Sequence, residues 1–156
     1  MRILIYMDTA YFAMGCFWHP QVIFDEIEGV VKTVVGYSGG DVPQPTYEMV
    51  CGGNTGHYET IEITYDPSIV TYTQLLDAFW QNIDAYDAGG QGPDRGSQYQ
   101  AALFTTSELQ AQAAKDSIAE QDSPESVAVS VQPLKGFYPA EDYHQKYMQK
   151  RYRGQL

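Results

Sequence analysis

The chain has 156 residues and a formal net charge of −11, from 9 basic and 20 acidic side chains. A composition of 44% hydrophobic and 19% charged residues describes a globular chain of about one domain, and excludes disordered, collagen-like and membrane-spanning classes. Such an acidic surface repels phosphate backbones, and two cysteines are too few for a disulfide scaffold or a four-cysteine zinc site.

In chain order, residues 1–9 read as an N-terminal extension. Its apolar run Ile3–Met7 is too short for a signal segment or a membrane helix, and residues 1–6 are expected to be dispensable. Two separated cysteines without an export signal fit a reducing cytoplasm. Thr9–Met14 reads as a strand that ends at Gly15. Phe17–Glu28 reads as a helix with Pro20 in its first turn and Gly29 at its close. Cys16 therefore falls at a strand-to-helix junction. Val30–Val35 is a β-branched run, expected as a buried strand, and Gly36–Pro45 reads as a loop. Tyr47–Val50 has room for one helical turn.

Tyr58–Tyr65 alternates cleanly, with Ile61, Ile63 and Tyr65 on one face. Glu59 shares their parity, which points its carboxyl inward; a strand-end residue turned out to solvent is the alternative. Thr73–Asn82 is an amphipathic helix, and Asp84–Gln98 carries no periodicity and reads as a long loop, functional or disordered. Tyr99–Phe104 is a strand. Ser107–Gln121 is a helix opened by a Ser107/Gln110 capping box. Val127–Val131 is a strand, and Pro139–Arg151 a terminal helix beginning at proline. Interleaved helices and strands imply one α/β or α+β domain over 1–156, with helices on a mixed sheet. The basic end, 147–156, closes a C-terminal stretch from residue 135 in which basic outnumber acidic side chains by 5 to 2; it reads equally as a docked segment or a solvated end.

Cys16 is the sharpest chemical feature. A thiol reacts as its thiolate, and a helix N-terminus is expected to lower its pKa; a buried structural cysteine is the alternative. A carboxyl on the apolar face, Glu59, is expected to have a raised pKa and to donate a proton near neutrality. The chain is rich in tyrosine, 13 residues. Of these, Tyr47 and Tyr99 flank loops and offer hydroxyl donors. Asp94 lies in the glycine-rich loop. His19, His57 and His144 lack metal-ligand spacing with either cysteine, so no metal is expected.

Several blocks then carry a resemblance. They are Gly15-Cys16-Phe17-Trp18, Val35-Gly36-Tyr37-Ser38-Gly39-Gly40, Pro45-Thr46-Tyr47-Glu48, Gly56-His57-Tyr58-Glu59, the run 91–99 and the run 137–145. In this order, over roughly residues 10–147, the chain resembles class A peptide methionine sulfoxide reductases. The resemblance implies a two-layer α+β sandwich with a mixed sheet and a ferredoxin-like core. It implies reduction of the S epimer of methionine sulfoxide, free or in proteins, as in repair after oxidative stress. Cys16 matches the nucleophile, Glu59 the acid, and Tyr47 and Tyr99 the tyrosines at the sulfoxide oxygen. Asp94 matches an active-site aspartate, Phe17 and Trp18 the methyl pocket, and Tyr138 an aromatic at its edge. No bound cofactor is implied. The Cys16 sulfenic acid would be reduced by an external thiol such as thioredoxin, glutaredoxin with glutathione, or dithiothreitol, in a monomer. Cys51 is expected to be a small buried hydrophobe, which leaves a one-cysteine cycle. A non-catalytic redox-sensing thiol protein on the same fold is the alternative; the joint presence of Glu59, Tyr47 and Tyr99 favours turnover.

Overall fold

The computed structural model describes residues 6–154. Its elements in chain order are β1 (Asp8–Met14), α1 (Trp18–Asp25), β2 (Val30–Ser38), α2 (Tyr47–Cys51), β3 (Tyr58–Tyr65), α3 (Tyr72–Gln81), β4 (Gly90–Gln91), β5 (Asp94–Arg95), β6 (Ala101–Thr105), α4 (Glu108–Ala119), β7 (Ser130–Pro133), β8 (Phe137–Pro139) and α5 (Tyr147–Tyr152). Six strands form one sheet in the order β7-β6-β1-β3-β2-β8, and β4 and β5 form a small hairpin of their own. All neighbours in the large sheet are antiparallel except β6 and β7, so the sheet is mixed. Its four central strands, β6-β1-β3-β2, follow a βαββαβ chain order through α1 and α3, a connectivity compatible with a ferredoxin-like core.

Period-2 alternation decides the two faces. Ala10, Phe12 and Met14 of β1, Val35 and Tyr37 of β2, Ile61, Ile63 and Tyr65 of β3, and Leu103 of β6 enter the main core. There they meet Phe24 of α1, Leu75, Leu76 and Phe79 of α3, and Ala114 of α4. The Phe12 ring alone lies within 6.0 Å of those of Phe24, Tyr72 and Phe79. The opposite face carries a smaller cluster of Ala13, Ala102 and Phe104 with Tyr11, Tyr58 and Leu134. The fold is thus a helix layer on a sheet layer.

Several expectations needed correction. α1 ends at Asp25, short of Glu28, and Gly29 turns the chain at φ +99°. β2 runs on through Gly36-Tyr37-Ser38, which reads as loop in sequence. The reason is β8: a Cβ on Gly36 would lie 2.4 Å from the Tyr138 carbonyl, so only glycine lets the edge strand pair there. The first half of β2 is not buried, with Val31 61% exposed. The 84–98 loop contains the β4–β5 hairpin, and Tyr99 ends a 3₁₀ turn, Ser97–Tyr99, instead of opening β6. β7 lies three residues later than expected. The expected helix from Pro139 is in fact the end of edge strand β8, then a 3₁₀ turn at Asp142–His144, then the short α5. Proline is tolerated at a sheet edge, which its sequence position alone does not reveal.

Ser107 caps α4 as expected, its hydroxyl accepting from the Gln110 N–H at 3.1 Å. The Gln110 side chain does not close the box; it accepts from the Thr106 N–H and donates to the Thr9 carbonyl, which ties α4 to β1. The complete capping box is at α3, between Thr71 and Gln74. The expected N-terminal extension, 1–9, overlaps β1, because Asp8 and Thr9 already pair with Tyr65 and Thr64; its residues 1–5 lie outside the described residues, as do 155–156 of the basic end. The C-terminal segment is docked: Lys146 pairs with Asp25 of α1, and Gln149 donates to the same carboxylate at 2.9 Å.

Candidate active site

β1 delivers the chain to the site and Gly15 turns it. Gly15 sits at φ +85°, and a Cβ there would lie 2.8 Å from Cβ of Gln91, so a side chain would both strain the turn and push the hairpin loop away. Cys16 follows, half-buried, immediately before α1. Its thiol is not acidified as the sequence suggests. Burial pushes it up to about 12; a hydrogen bond from the Trp18 N–H opposes this, while the charges of Glu59, Asp94 and Cys51 add to it. One backbone donor at a short helix is outweighed by desolvation and three neighbouring acids.

Glu59 is on the inner face of β3 and is 1% exposed, as its parity predicts. Its Oε1 accepts from the Phe17 N–H at 3.1 Å, the residue bonded to Cys16. Its Oε2 is buried with no partner among the described residues. Burial pushes this carboxyl up to about 8, against the Phe17 hydrogen bond and with help from the Asp94 charge. At neutral pH Glu59 is therefore a carboxylic acid. Because Oε1 is occupied as an acceptor, the proton resides on Oε2, a buried donor with nothing to donate to.

Tyr47 opens α2, which Thr46 caps by accepting from the Met49 N–H at 3.2 Å. The Tyr47 hydroxyl hydrogen-bonds the Cys51 thiol, and burial raises its pKa. Tyr99 leads into β6, and burial, then the charges of Glu59, Cys51, Cys16 and Asp94, push it up to about 12. Both hydroxyls remain donors at any physiological pH. The same list of charges acts on Cys16 and Tyr99, so these side chains converge on one place. Asp94, in β5, is brought there by the hairpin, which Arg95 clasps through two hydrogen bonds to Asp87 and which Gln91 ties to the backbone of Asp84.

Phe17 is fully buried between Tyr37 and His144, with ring centroids 5.7 and 5.2 Å away. Trp18 is half-buried and stacks on Tyr147 at 3.7 Å. Tyr138 stands opposite Tyr37, which stands opposite Glu59, so the three form one row across β8, β2 and β3. Its ring meets His57 edge-on. Cys51 is exposed and not a buried hydrophobe. It ends a five-residue helix that turns its buried side, Val50, inward and leaves the last residue in water.

Three residues with no role in the sequence reading complete the site. His144 accepts from the Trp18 indole N–H through Nδ1 at 2.9 Å, and its ring packs on Tyr47 at 4.4 Å. Burial lowers its pKa, so it is neutral with its proton on Nε2. Glu141 binds Tyr37 and Tyr47, and Gln145 bridges the N–H and carbonyl of Val35. All three lie in the 137–145 block that carried the resemblance, which was the only available signal. Among the described residues, no group of three or more His, Cys, Asp or Glu side chains could hold a metal ion. Surface concavities of about 580 and 440 Å³ lie elsewhere, at the start of α4 and between α1 and α5, and neither is lined by Cys16 or Glu59.

A family model described as peptide methionine sulfoxide reductase matches residues 8–156. The chain belongs to this family. It is 43% identical over 146 residues to the peptide methionine sulfoxide reductase MsrA of Methanococcus maripaludis, covering 92% of this chain and 93% of that one. It is 42% identical over 151 residues to that of Rhodospirillum centenum, covering 93% and 69%. Among solved structures, methionine sulfoxide reductase A of Corynebacterium diphtheriae matches with a TM-score of 0.88 at 34% identity, covering 92% of this chain and 74% of that one. Mxr1 of Saccharomyces cerevisiae in reduced form matches at 0.86 and 32%, covering 95% and 87%. Mxr1 in complex with Trx2 matches at 0.61 and 21%, a likeness of fold. The chain is accordingly an oxidoreductase that reduces methionine sulfoxide, and the redox-sensor alternative is not favoured. No helix among the described residues is long and apolar enough to cross a membrane.

Proposed function

We propose that this chain reduces the S epimer of methionine sulfoxide, free or in proteins, with Cys16 as nucleophile and Glu59 as acid. The observation that carries the reading is the buried, unpartnered Oε2 of Glu59, on a carboxyl whose Oε1 accepts from the residue that follows Cys16. The Cys16 sulfur attacks the sulfoxide sulfur while Glu59 gives its proton to the sulfoxide oxygen, and the thiol proton replaces it on Glu59. The hydroxyl of the resulting adduct then passes to the Cys16 sulfur as the newly formed S–S bond and the methionine S–O bond break, leaving methionine and a sulfenic acid on Cys16. Both groups start protonated, so no isolated buried charge has to be created before substrate arrives. Tyr47 and Tyr99 donate to the oxygen as charge develops. Asp94 helps hold Glu59 protonated through its charge, and Phe17, Trp18 and Tyr138 form the apolar surround for the methyl group.

An external thiol then reduces the sulfenic acid, releasing water. A thioredoxin-type protein fits this role, since Mxr1, 32% identical here, has also been solved in complex with Trx2; glutaredoxin with glutathione, or dithiothreitol, supplies the same chemistry. The setting is a monomeric catalytic domain over 1–156 in the cytoplasm, acting in protein repair. An epimer-resolved assay with dithiothreitol tests the reading. S-epimer turnover that disappears in Cys16→Ser is expected; absent turnover by the intact protein, or turnover surviving Cys16→Ser, overturns it. Intact mass after one oxidising turnover without reductant should show one added oxygen. A Cys16–Cys51 disulfide, with two hydrogens lost, would replace the one-cysteine cycle.

A further inference from the structure

The Glu141 carboxylate has both oxygens engaged by elements far away in sequence. Oε1 accepts from the Tyr37 hydroxyl at 3.0 Å, and Oε2 accepts from the backbone N–H of Tyr47 at 3.0 Å. Tyr37 is fully buried and faces Glu59 across the β2–β3 ladder. Tyr47 is the first residue of α2, whose own cap, Thr46, satisfies only the Met49 N–H. The N–H of the first helical residue has no partner within a helix, and it fixes where that residue's side chain departs. α2 is only five residues long and buries only Val50; the Tyr47 ring packs on His144, but its backbone start is tied by Glu141.

We infer that Glu141 is a positioning residue for Tyr47: its carboxylate clasps the Tyr47 N–H to the rigid β2 strand through Tyr37, and so sets the Tyr47 hydroxyl at the height of the sulfoxide oxygen. The inference rests on the proposed role of Tyr47 as a donor to that oxygen. It also gives the tyrosine of the 35–40 block a purpose, as the fixed post on the sheet. The charge matters as well as the reach. A carboxylate can accept at both oxygens, whereas an amide in its place accepts at one and turns an NH₂ group towards the other donor. Burial raises the Glu141 pKa, but the hydrogen bonds from the Tyr47 N–H, its own N–H and the Tyr37 hydroxyl outweigh this and hold it below the usual carboxylate range, so both bonds persist at neutral pH.

A double-mutant cycle in kcat, on the full chain with S-epimer substrate, tests this. Glu141→Gln alone is expected to lower kcat by about 10- to 100-fold, the scale of misplacing one catalytic contact. In a Tyr47→Phe background the same change is expected to cost less than about twofold, because the hydroxyl it positions is already gone. Tyr37→Phe, which keeps the Tyr47 N–H bond, should cost less than Glu141→Gln. Glu141→Asp keeps the charge one methylene further back, and serves as the second variant if the amide does not fold; it should show a smaller loss with the same non-additivity. Full additivity with Tyr47→Phe, or unchanged kcat in a folded Glu141→Gln protein, overturns the inference. Unchanged kcat in Tyr47→Phe alone would instead sink the role of Tyr47 on which it stands.

Discussion

Tyr37 has a carboxyl on either side. Across the sheet it faces Glu59, and through its hydroxyl it reaches Glu141. The two acids share a neighbour and differ in what their oxygens find. Glu141 receives a donor at each oxygen and stays ionised. Glu59 receives one donor at one oxygen, lies deeper, and is pushed up to about 8. Hydrogen-bond supply against desolvation decides the protonation state, and the two states suit two tasks: a fixed anion to hold structure, and a held proton to give away.

The sharpest way to break this contrast is to remove the proton. Glu59→Gln is expected to lower kcat by about 10²- to 10⁴-fold, the usual worth of a positioned general acid. The wild-type rate should fall as pH rises through about 8, where Glu59 ionises, and the variant should lose that limb. An unchanged pH profile would remove Glu59 as the acid. Next in size, Tyr47→Phe or Tyr99→Phe should each cost about 10²-fold in kcat with a smaller change in KM, as expected of donors that tighten on developing charge; a pure KM effect would reassign them to ground-state binding.

Stability offers a smaller test with a definite sign. The folded protein holds the Glu59 proton between its ordinary value of 4.5 and about 8, while the unfolded chain has released it. Stability contributed this way is therefore lost as pH rises through that window. Glu59→Gln should raise the thermal midpoint relative to wild type near pH 9, with the gain vanishing near pH 4; an equal gain at both ends would mean packing, not protonation. The smallest effect is a control away from the site. Thr71→Ala breaks the α3 capping box and should cost about 1 kcal/mol of stability with kcat unchanged, measured by denaturant unfolding beside the assay.

Much of the Glu59 side of this contrast was legible in sequence. β3 begins and ends where alternation places it, and the inward parity of Glu59 holds even at the strand's start. The acidity of Cys16 was not legible, because it depends on how much water and how many carboxyls surround it. The Glu141 side was hidden for a different reason. Its partners lie 94 and 104 residues away, and the segment that carries it changes from strand to 3₁₀ turn within a few residues. Local propensity read that segment as one helix starting at Pro139. Likewise Gly36 looks like a loop residue until the edge strand that needs its missing side chain is known.

The stack of Trp18 on Tyr147 has an optical consequence. The chain has only two tryptophans, and Trp80 lies in α3, packed against Phe79. Trp18 lies two residues beyond Cys16, stacks on the segment that also carries Glu141, and is hydrogen-bonded to His144. Its emission therefore reports on the reacting residue and on the clasp of the C-terminal segment together. Oxidation of Cys16, arrival of a substrate methyl group and loosening of α5 would each write to the same fluorophore, and a Trp80→Phe background would leave it as the only indole.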